Sequence, residues 1–414
     1  MQVNGKDLIT PTGQNLKMRG INYGIIDEGL GTLANPAQLQ FKISEAAKTG
    51  ANTIRIPWYT NNTHFMDLNQ PGTVQGLIDD GTLSNLIGLS YQNGMIPILE
   101  LHDGTCSNNW NYFNNVLVPW WMQPAILDII EQHKAYLIVN IANEFGEARW
   151  TGNVPTAMNI FKTHYIQAVI NLRNAGIEVP IMIDAPDCGS SSSELLTVAQ
   201  EILDADPLGN IIFSTHAYWI AYANSQAAVN AKLNEIDQSP FCYILGEVAN
   251  IQDEYQLPCE YDIENIYQWV MAEACNLDMS WLAWTYTQDF CPARQMTTNG
   301  VFDNLTPYGQ EVVYDNVFGL LSAGGCRAEP LSTMDFTGEN MAINIYPNPA
   351  SSLISFTNSS LIESIEIYNL SGKLLLQFNK NRDDVNVSQL SNGMYLVKIK
   401  TQNNRQVIKK LIKK

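Results

Sequence analysis

Eight apolar, β-branched runs separated by stretches with helical spacing constrain this chain more than any other feature. They are Leu16–Tyr23, Asn52–Trp58, Met95–Asp103, Ala135–Phe145, Pro180–Ala185, Ile211–Trp219, Cys242–Val248 and Ser280–Thr287. Helical periodicity lies between them, at Gln38–Lys48, Ile126–His133, Ala157–Ala175, Ser192–Asp204, Ile263–Cys275 and Tyr308–Leu320. Continuous apolar strands alternating with helices imply a parallel sheet covered on its faces. Eight repeats in roughly 300 residues fit an α/β chain closed on itself as a (β/α)8 TIM barrel. A doubly wound open sheet is the alternative, weakened because no Gly-rich phosphate turn follows the first run.

Two of these runs end in a glutamate: Ile138-Val139-Asn140-Ile141-Ala142-Asn143-Glu144 and Tyr243-Ile244-Leu245-Gly246-Glu247. A carboxylate at the end of a buried strand must be solvated or paired. In a barrel the chemistry sits at the C-terminal strand ends. The same ends carry Arg55, Trp58, His102, Asp103, Asn143, Asp184, His216, Tyr218, Trp219, Trp281 and Trp284. One such Glu is most simply a solvated residue. Two that converge on one cleft are the working parts of glycoside hydrolysis.

The charge balance is acidic, 23 Lys+Arg against 41 Asp+Glu, which argues against a nucleic-acid partner and an anionic membrane surface. It suits a neutral polysaccharide. The imbalance is uneven: residues 342–414 are net +6 and the remainder net −24, which implies two modules. The expected division is a catalytic barrel at 1–321, a Ser/Gly/Pro-containing linker at 322–341, and a small β-sandwich at 342–414. The sandwich follows from short alternating strands split by Pro347-Asn348-Pro349, Ser371-Gly372 and Ser391-Asn392-Gly393.

No apolar run is long enough for a membrane span, and the opening Met1-Gln2-Val3-Asn4-Gly5 is no signal peptide. Either the protein is cytosolic or its leader has been replaced. The seven cysteines form no CxxC pattern, so no zinc site, and no other metal or cofactor, is expected. Buried thiols and one or two disulfides are equally compatible with them. Cys259 and Cys291, after the last two runs, are the expected bridge.

The barrel segment resembles glycoside hydrolase family 5, from about Val3 to Leu321. The matching positions are Arg55 in Asn52-Thr53-Ile54-Arg55, His102 in Glu100-Leu101-His102-Asp103, Asn143-Glu144, His216 with Tyr218, Glu247, and Trp284 in Leu282-Ala283-Trp284. The resemblance implies Glu144 as acid/base and Glu247 as nucleophile of a retaining enzyme. Arg55 and Tyr218 would then support Glu247, His216 would neighbour Glu144, Asn143 would meet the sugar 2-OH, His102 a hydroxyl, and Trp284 a sugar face. Of the other tryptophans, Trp110, Trp150 and Trp219 are expected in the cleft, with Asp103 and Asp184 as further hydroxyl partners. His64, His133 and His164 read as surface or structural residues.

Asn140-Ile141-Ala142-Asn143-Glu144, Ile181-Met182-Ile183-Asp184-Ala185 and Asp204-Ala205-Asp206-Pro207-Leu208 look most like bacterial endo-β-1,4-mannanases. Phe145 in place of Trp, Val248 in place of Phe, and the loop Asp187-Cys188-Gly189 with four serines depart from that pattern. A cellulase, an endo-β-1,4-glucanase on the same residues, is the runner-up; a non-catalytic glycan-binding barrel is a remoter reading. The tail is similar to the C-terminal sorting domain of type IX secretion, through Tyr346-Pro347-Asn348-Pro349, Ile367-Tyr368-Asn369-Leu370-Ser371-Gly372 and Gly393-Met394-Tyr395-Leu396-Val397. A generic carbohydrate-binding sandwich is the alternative. The sorting reading implies a secreted or cell-surface monomer whose leader has been removed, with the secretion machinery as partner.

Overall fold

The computed structural model describes residues 1–254, 257–322, 326–329, 331, 345–356, 359, 362–369, 373–379, 384–401 and 406–414. It divides into two compact units, Met1–Phe336 and Thr337–Lys414.

In the first unit eight parallel strands close into a barrel. They are β1 (Arg19–Asn22), β2 (Thr53–Trp58), β3 (Ile96–Leu101), β4 (Ile138–Asn140), β5 (Ile181–Asp184), β6 (Ile211–His216), β7 (Tyr243–Val248) and β8 (Ser280–Ala283). Each falls inside one of the eight apolar runs, and every residue in them is buried. This is why the runs read as continuous rather than alternating: one side chain points into the barrel and the next against a helix.

Helix starts follow local chemistry. Asn35 caps Pro36–Ala47 by accepting from Ala37 N and Gln38 N, with proline at the first helical position. Asn153 caps Val154–Asn174 through Thr156 N. The expected helix Tyr308–Leu320 is shorter, Pro307–Tyr314, because Asp315 Oδ1 accepts from Val317 N and Phe318 N and turns the chain away. A three-stranded meander, Gln2–Asn4, Asp7–Ile9 and Asn15–Leu16, buries Leu8 and Leu16. Val3 N donates to Asn210 Oδ1 just before β6, which places the meander at the N-terminal end of the barrel.

The segment expected as a linker is in part barrel. Cys326 is bridged to Cys275, Arg19 Nη1 donates to Arg327 O, and Ala328 and Leu331 are buried against the barrel core. Apolar contact and a disulfide hold what Ser/Gly-rich composition suggested would be free. Most of the rest of that segment, and the Ser371-Gly372 turn, lie outside the described residues.

Among its described residues the second unit has seven short strands in two antiparallel sheets. Ile345–Tyr346, Leu353–Phe356 and Asp384–Asn386 form one; Ile362–Tyr368, Leu374–Asn379, Gly393–Thr401 and Gln406–Lys413 form the other. Ile354, Ile367, Val385, Val397, Ile399 and Leu411 make its own core. Among the described residues no helix is long and apolar enough to cross a membrane.

Candidate active site

The C-terminal strand ends open into a cleft of about 1160 Å³, lined by Glu144, Glu247, His102, Asn143, Tyr218 and Trp284 among others. Arg55 on β2 lies wholly buried beneath it. Its guanidinium donates to Glu247 Oε1 at 2.8 Å, Asn143 Oδ1 at 2.6 Å, Asn140 Oδ1 at 2.9 Å and Asn22 Oδ1 at 3.1 Å. It also lies 3.4 Å from Asp184 and 3.6 Å from Glu100. The surrounding carboxylates keep it charged despite burial, and its planar fork suits several acceptors at once.

Glu247 receives a second donor, the Tyr218 hydroxyl, at 2.9 Å. It can stand against β6 because its predecessor has no side chain. A Cβ on Gly246 would meet Ser214 Oγ at 2.4 Å and His216 Nε2 at 2.9 Å.

Glu144 is set differently. β4 ends at Asn140, and the chain then leaves strand geometry, reaching φ +52° at Glu144 itself. Non-glycine residues in this left-handed region are uncommon and gather at functional sites. Its amide donates to Asp184 Oδ2 at 3.2 Å, and its Oε1 pairs with His216 Nδ1 at 2.6 Å. Burial and the nearby Glu247 charge hold its carboxyl above the usual range, against the opposing pull of His216. One oxygen of Glu144 lies within 4.8 Å of one of Glu247, with a His216 nitrogen equally near. These three could in principle chelate a cation, but the Arg55 guanidinium already occupies Glu247.

His102 pairs with the buried Glu100 at 3.1 Å, and its ring stacks on Trp284 at 5.5 Å and 8°. Burial alone would lower its pKa, yet Glu100 raises it to about 9. Asn143 Nδ2 donates to Thr105 Oγ1 at 3.0 Å and keeps a second N–H for the cleft. Trp284 Nε1 bonds Asp289, which also anchors Arg294 at 3.0 Å.

Arg55, His102, Asn143, Glu144, His216, Tyr218, Glu247 and Trp284 are thus brought together. Trp150 also lines the cleft and is 58% exposed. Trp219 does not: it is fully buried, turned into the protein, and cannot stack on a sugar. Trp110 lies in an aromatic cluster with Phe113, Phe145, Phe161 and His164, and does not line the cleft. Strand alternation could not assign either side chain, since both lie beyond the strand ends, Trp219 in a loop and Trp110 at the start of the short helix Trp110–Tyr112. Asp103 accepts from Thr60 N, and Asp184 braces Arg55 and Glu144; neither lines the cleft. His64 and His133 are buried in hydrogen bonds with Asp27, and with Ser84 and Tyr136.

Sequence reasoning missed Phe290, which lines the cleft and is 94% exposed, and the aromatic Tyr59 and Phe65 at the rim. A lone aromatic in a loop carries no periodic signal. The bridge Cys259–Cys291 forms as expected; Cys106–Cys188 and Cys275–Cys326 form in addition, and Cys242 is a buried free thiol.

Several known proteins are similar to this chain. Residues 344–414 match the secretion system C-terminal sorting domain. A mannan endo-1,4-beta-mannosidase of Salipaludibacillus agaradhaerens is 26% identical over 342 residues, 82% of this chain and 96% of its own length. A beta-mannanase/endoglucanase A of Caldicellulosiruptor saccharolyticus is 28% identical over 233 residues, 55% of this chain but 16% of that larger protein. The catalytic domain of a mannanase from Streptomyces sp. SirexAA-E shares the barrel fold, with a TM-score of 0.58 and 24% identity over 75% of this chain and 88% of that one. Residues 9–290 match the family described as Cellulase (glycosyl hydrolase family 5), and the chain is a member of glycoside hydrolase family 5.

Proposed function

We propose that the chain is an exported, retaining endo-β-1,4-mannanase in which Glu247 is the nucleophile and Glu144 the acid/base. The observation that carries this is the pairing of two close carboxylates in opposite settings. Both are buried, but Glu247 accepts from Arg55 and Tyr218, whereas the Glu144 carboxyl, paired with His216, is held above its usual pKa range. A short carboxylate gap suits direct attack; inversion needs room for a water between the two groups.

In the first step Glu247 attacks the anomeric carbon while Glu144 gives its proton to the glycosidic oxygen. Forming the covalent glycosyl ester consumes the Glu247 charge, one of the influences that holds the Glu144 pKa up. Glu144 is then a stronger acid in the intermediate, and its carboxylate takes the proton of the incoming water. Asn143 offers its free N–H to the sugar 2-OH, and Trp284 offers a face to the ring.

The cleft is open along the rim. Asp27, Phe65 and Phe290 from the loops after β1, β2 and β8 line it together with Trp150 and Tyr222 from the loops after β4 and β6. Binding along both sides of the carboxylate pair supports cleavage within a chain. Mannan is favoured by the curated relatives named above; the endoglucanase name of one of them and the family description keep β-glucan as a second reading. Reducing-sugar release on mannan, carboxymethyl cellulose, xyloglucan and mixed-linkage glucan tests the choice. Faster release on a glucan than on mannan would overturn it. The sorting domain supports export through the type IX pathway to the cell surface or exterior.

A further inference from the structure

We propose that the disulfide Cys106–Cys188, with the β5 loop that carries it, is a positioning device that holds and desolvates the Glu144 carboxyl on its leaving-group side. The inference rests on the acid/base reading of Glu144.

Cys106 Sγ lies 3.4 Å from Glu144 Oε2, and both sulfurs come within 4.8 Å of a Glu144 oxygen. A bridged sulfur carries no proton, so it offers that oxygen neither a hydrogen bond nor a charge. The other oxygen, Oε1, is taken by His216 Nδ1. Oε2 is therefore the oxygen left to carry the mobile proton, and sulfur covers it where water would otherwise stabilise the anion. A neighbour that excludes water disfavours the charged form of a carboxyl.

The same bridge fixes the surrounding wall. Glu144 follows β4, and the disulfide spans it, from the loop after β3 to the loop after β5. Asp187, next to Cys188, accepts from Ala148 N at 2.7 Å, Arg149 N at 3.1 Å and the Ser191 hydroxyl, so the β4 loop bearing Trp150 shares the anchor. Gly189 O accepts from His216 N at 2.8 Å and Thr215 Oγ1 at 2.6 Å. Gly189 has φ +72°, and a Cβ there would meet His216 Cγ at 2.7 Å, so only glycine lets the loop lie on the ring that holds Glu144. Cys106, Asp187 and Cys188 share with Glu144 the left-handed backbone rare outside glycine. Four such residues around one carboxyl mark a segment whose conformation is set by the site rather than by local preference. By contrast, Cys275–Cys326 staples the opposite end of the barrel, near Arg19.

The test compares Cys106→Ala/Cys188→Ala with Cys275→Ala/Cys326→Ala in the full chain. Readouts are the pH dependence of kcat/KM on mannan, turnover on mannan against an activated aryl β-mannoside, and thermal melting. For the first pair the alkaline limb is expected to move down by about half a pH unit or more as water reaches Oε2. Turnover on mannan should fall about tenfold, and on the activated substrate much less, because a good leaving group needs little protonation. The second pair should lower the melting temperature without moving the limb. Should the first pair fail to fold, dithiothreitol reduction and alkylation of a folded variant carrying Cys259→Ala/Cys291→Ala and Cys275→Ala/Cys326→Ala opens the Cys106–Cys188 bridge alone: that bridge takes up two electrons and two protons as the dithiol becomes a cyclic disulfide. An alkaline limb unmoved in the opened enzyme, or equal losses on both substrates, overturns the inference. If Glu144→Gln is inactive on mannan while that limb stays put, only this inference falls; if Glu144→Gln is active, the acid/base reading falls first.

Discussion

Replacing Glu144 by glutamine separates its chemical from its structural contribution. The isostere keeps a carbonyl oxygen for His216 Nδ1, now paired with Glu144 Oε1 at 2.6 Å, so the barrel rim should stay intact. The transferable proton is lost. General acid–base assistance supplies about 10²–10⁴ in rate, or roughly 2.7–5.4 kcal/mol of transition-state stabilisation. Mannan hydrolysis should fall by that factor. A 2,4-dinitrophenyl β-mannobioside needs no protonation to depart, so its first step should survive. Its glycosyl–enzyme should then accumulate, because no base remains to activate water. Stopped-flow release of dinitrophenolate should therefore show a burst near one equivalent per site. The alkaline limb of the pH profile should also disappear. Stability should move the opposite way. A carboxyl whose folded pKa is raised stabilises the fold fully below its unfolded value of 4.5, and that contribution is lost as pH rises through the folded pKa. The variant, with nothing to ionise, should melt at or above the wild type at neutral pH, and the two should converge below about pH 4.5. Equal loss on mannan and on the dinitrophenyl glycoside, with no burst, would refute the reasoning.

Other outcomes follow from single contacts. The His102–Glu100 pair should stabilise the barrel fully below about pH 6.5 and lose effect as pH rises through about 9, so His102→Asn should flatten the fall of the melting temperature across that window. Trp150→Ala should raise KM on long mannans about three- to tenfold with kcat within about twofold, as one exposed stacking face is lost. Trp219→Ala should instead cost about 3–5 kcal/mol of stability, since the ring is buried core, and denaturant titration distinguishes the two. Removing residues 342–414 should leave mannan turnover and the barrel melting transition unchanged, because that unit has a separate apolar core.

The sequence was informative wherever local chemistry and periodicity act alone. Eight apolar runs specify eight strands, because a strand buried on both faces has no polar positions to interrupt it. The charge break marks a second module for a similar reason: composition is a property of the chain, not of its folding. Glu144 and Glu247 stood out because two apolar runs, not one, end in a carboxylate that must be solvated or paired. Their mutual distance could not be read, since one lies just past β4 and the other on β7, about a hundred residues apart, and they meet only when the barrel closes. The same holds for the five hydrogen-bonding partners of Arg55.

What tertiary structure decided is the inside-or-outside assignment of loop side chains and the pairing of distant groups. Trp150 and Trp219 look alike in sequence, each following a strand end, yet one faces the cleft and the other is sealed in the core. Side-chain direction follows a period only inside a helix or strand; past its end, packing with other loops decides. The cysteines show the same division. An odd count implied a free thiol, which is Cys242, but placing a bridge against Glu144 required the loops after β3 and β5 to meet above β4. Residue types and their order thus determine which chemistry the chain can carry, while closure of the barrel determines which of those groups face one another, because non-local contacts exist only once the chain has folded.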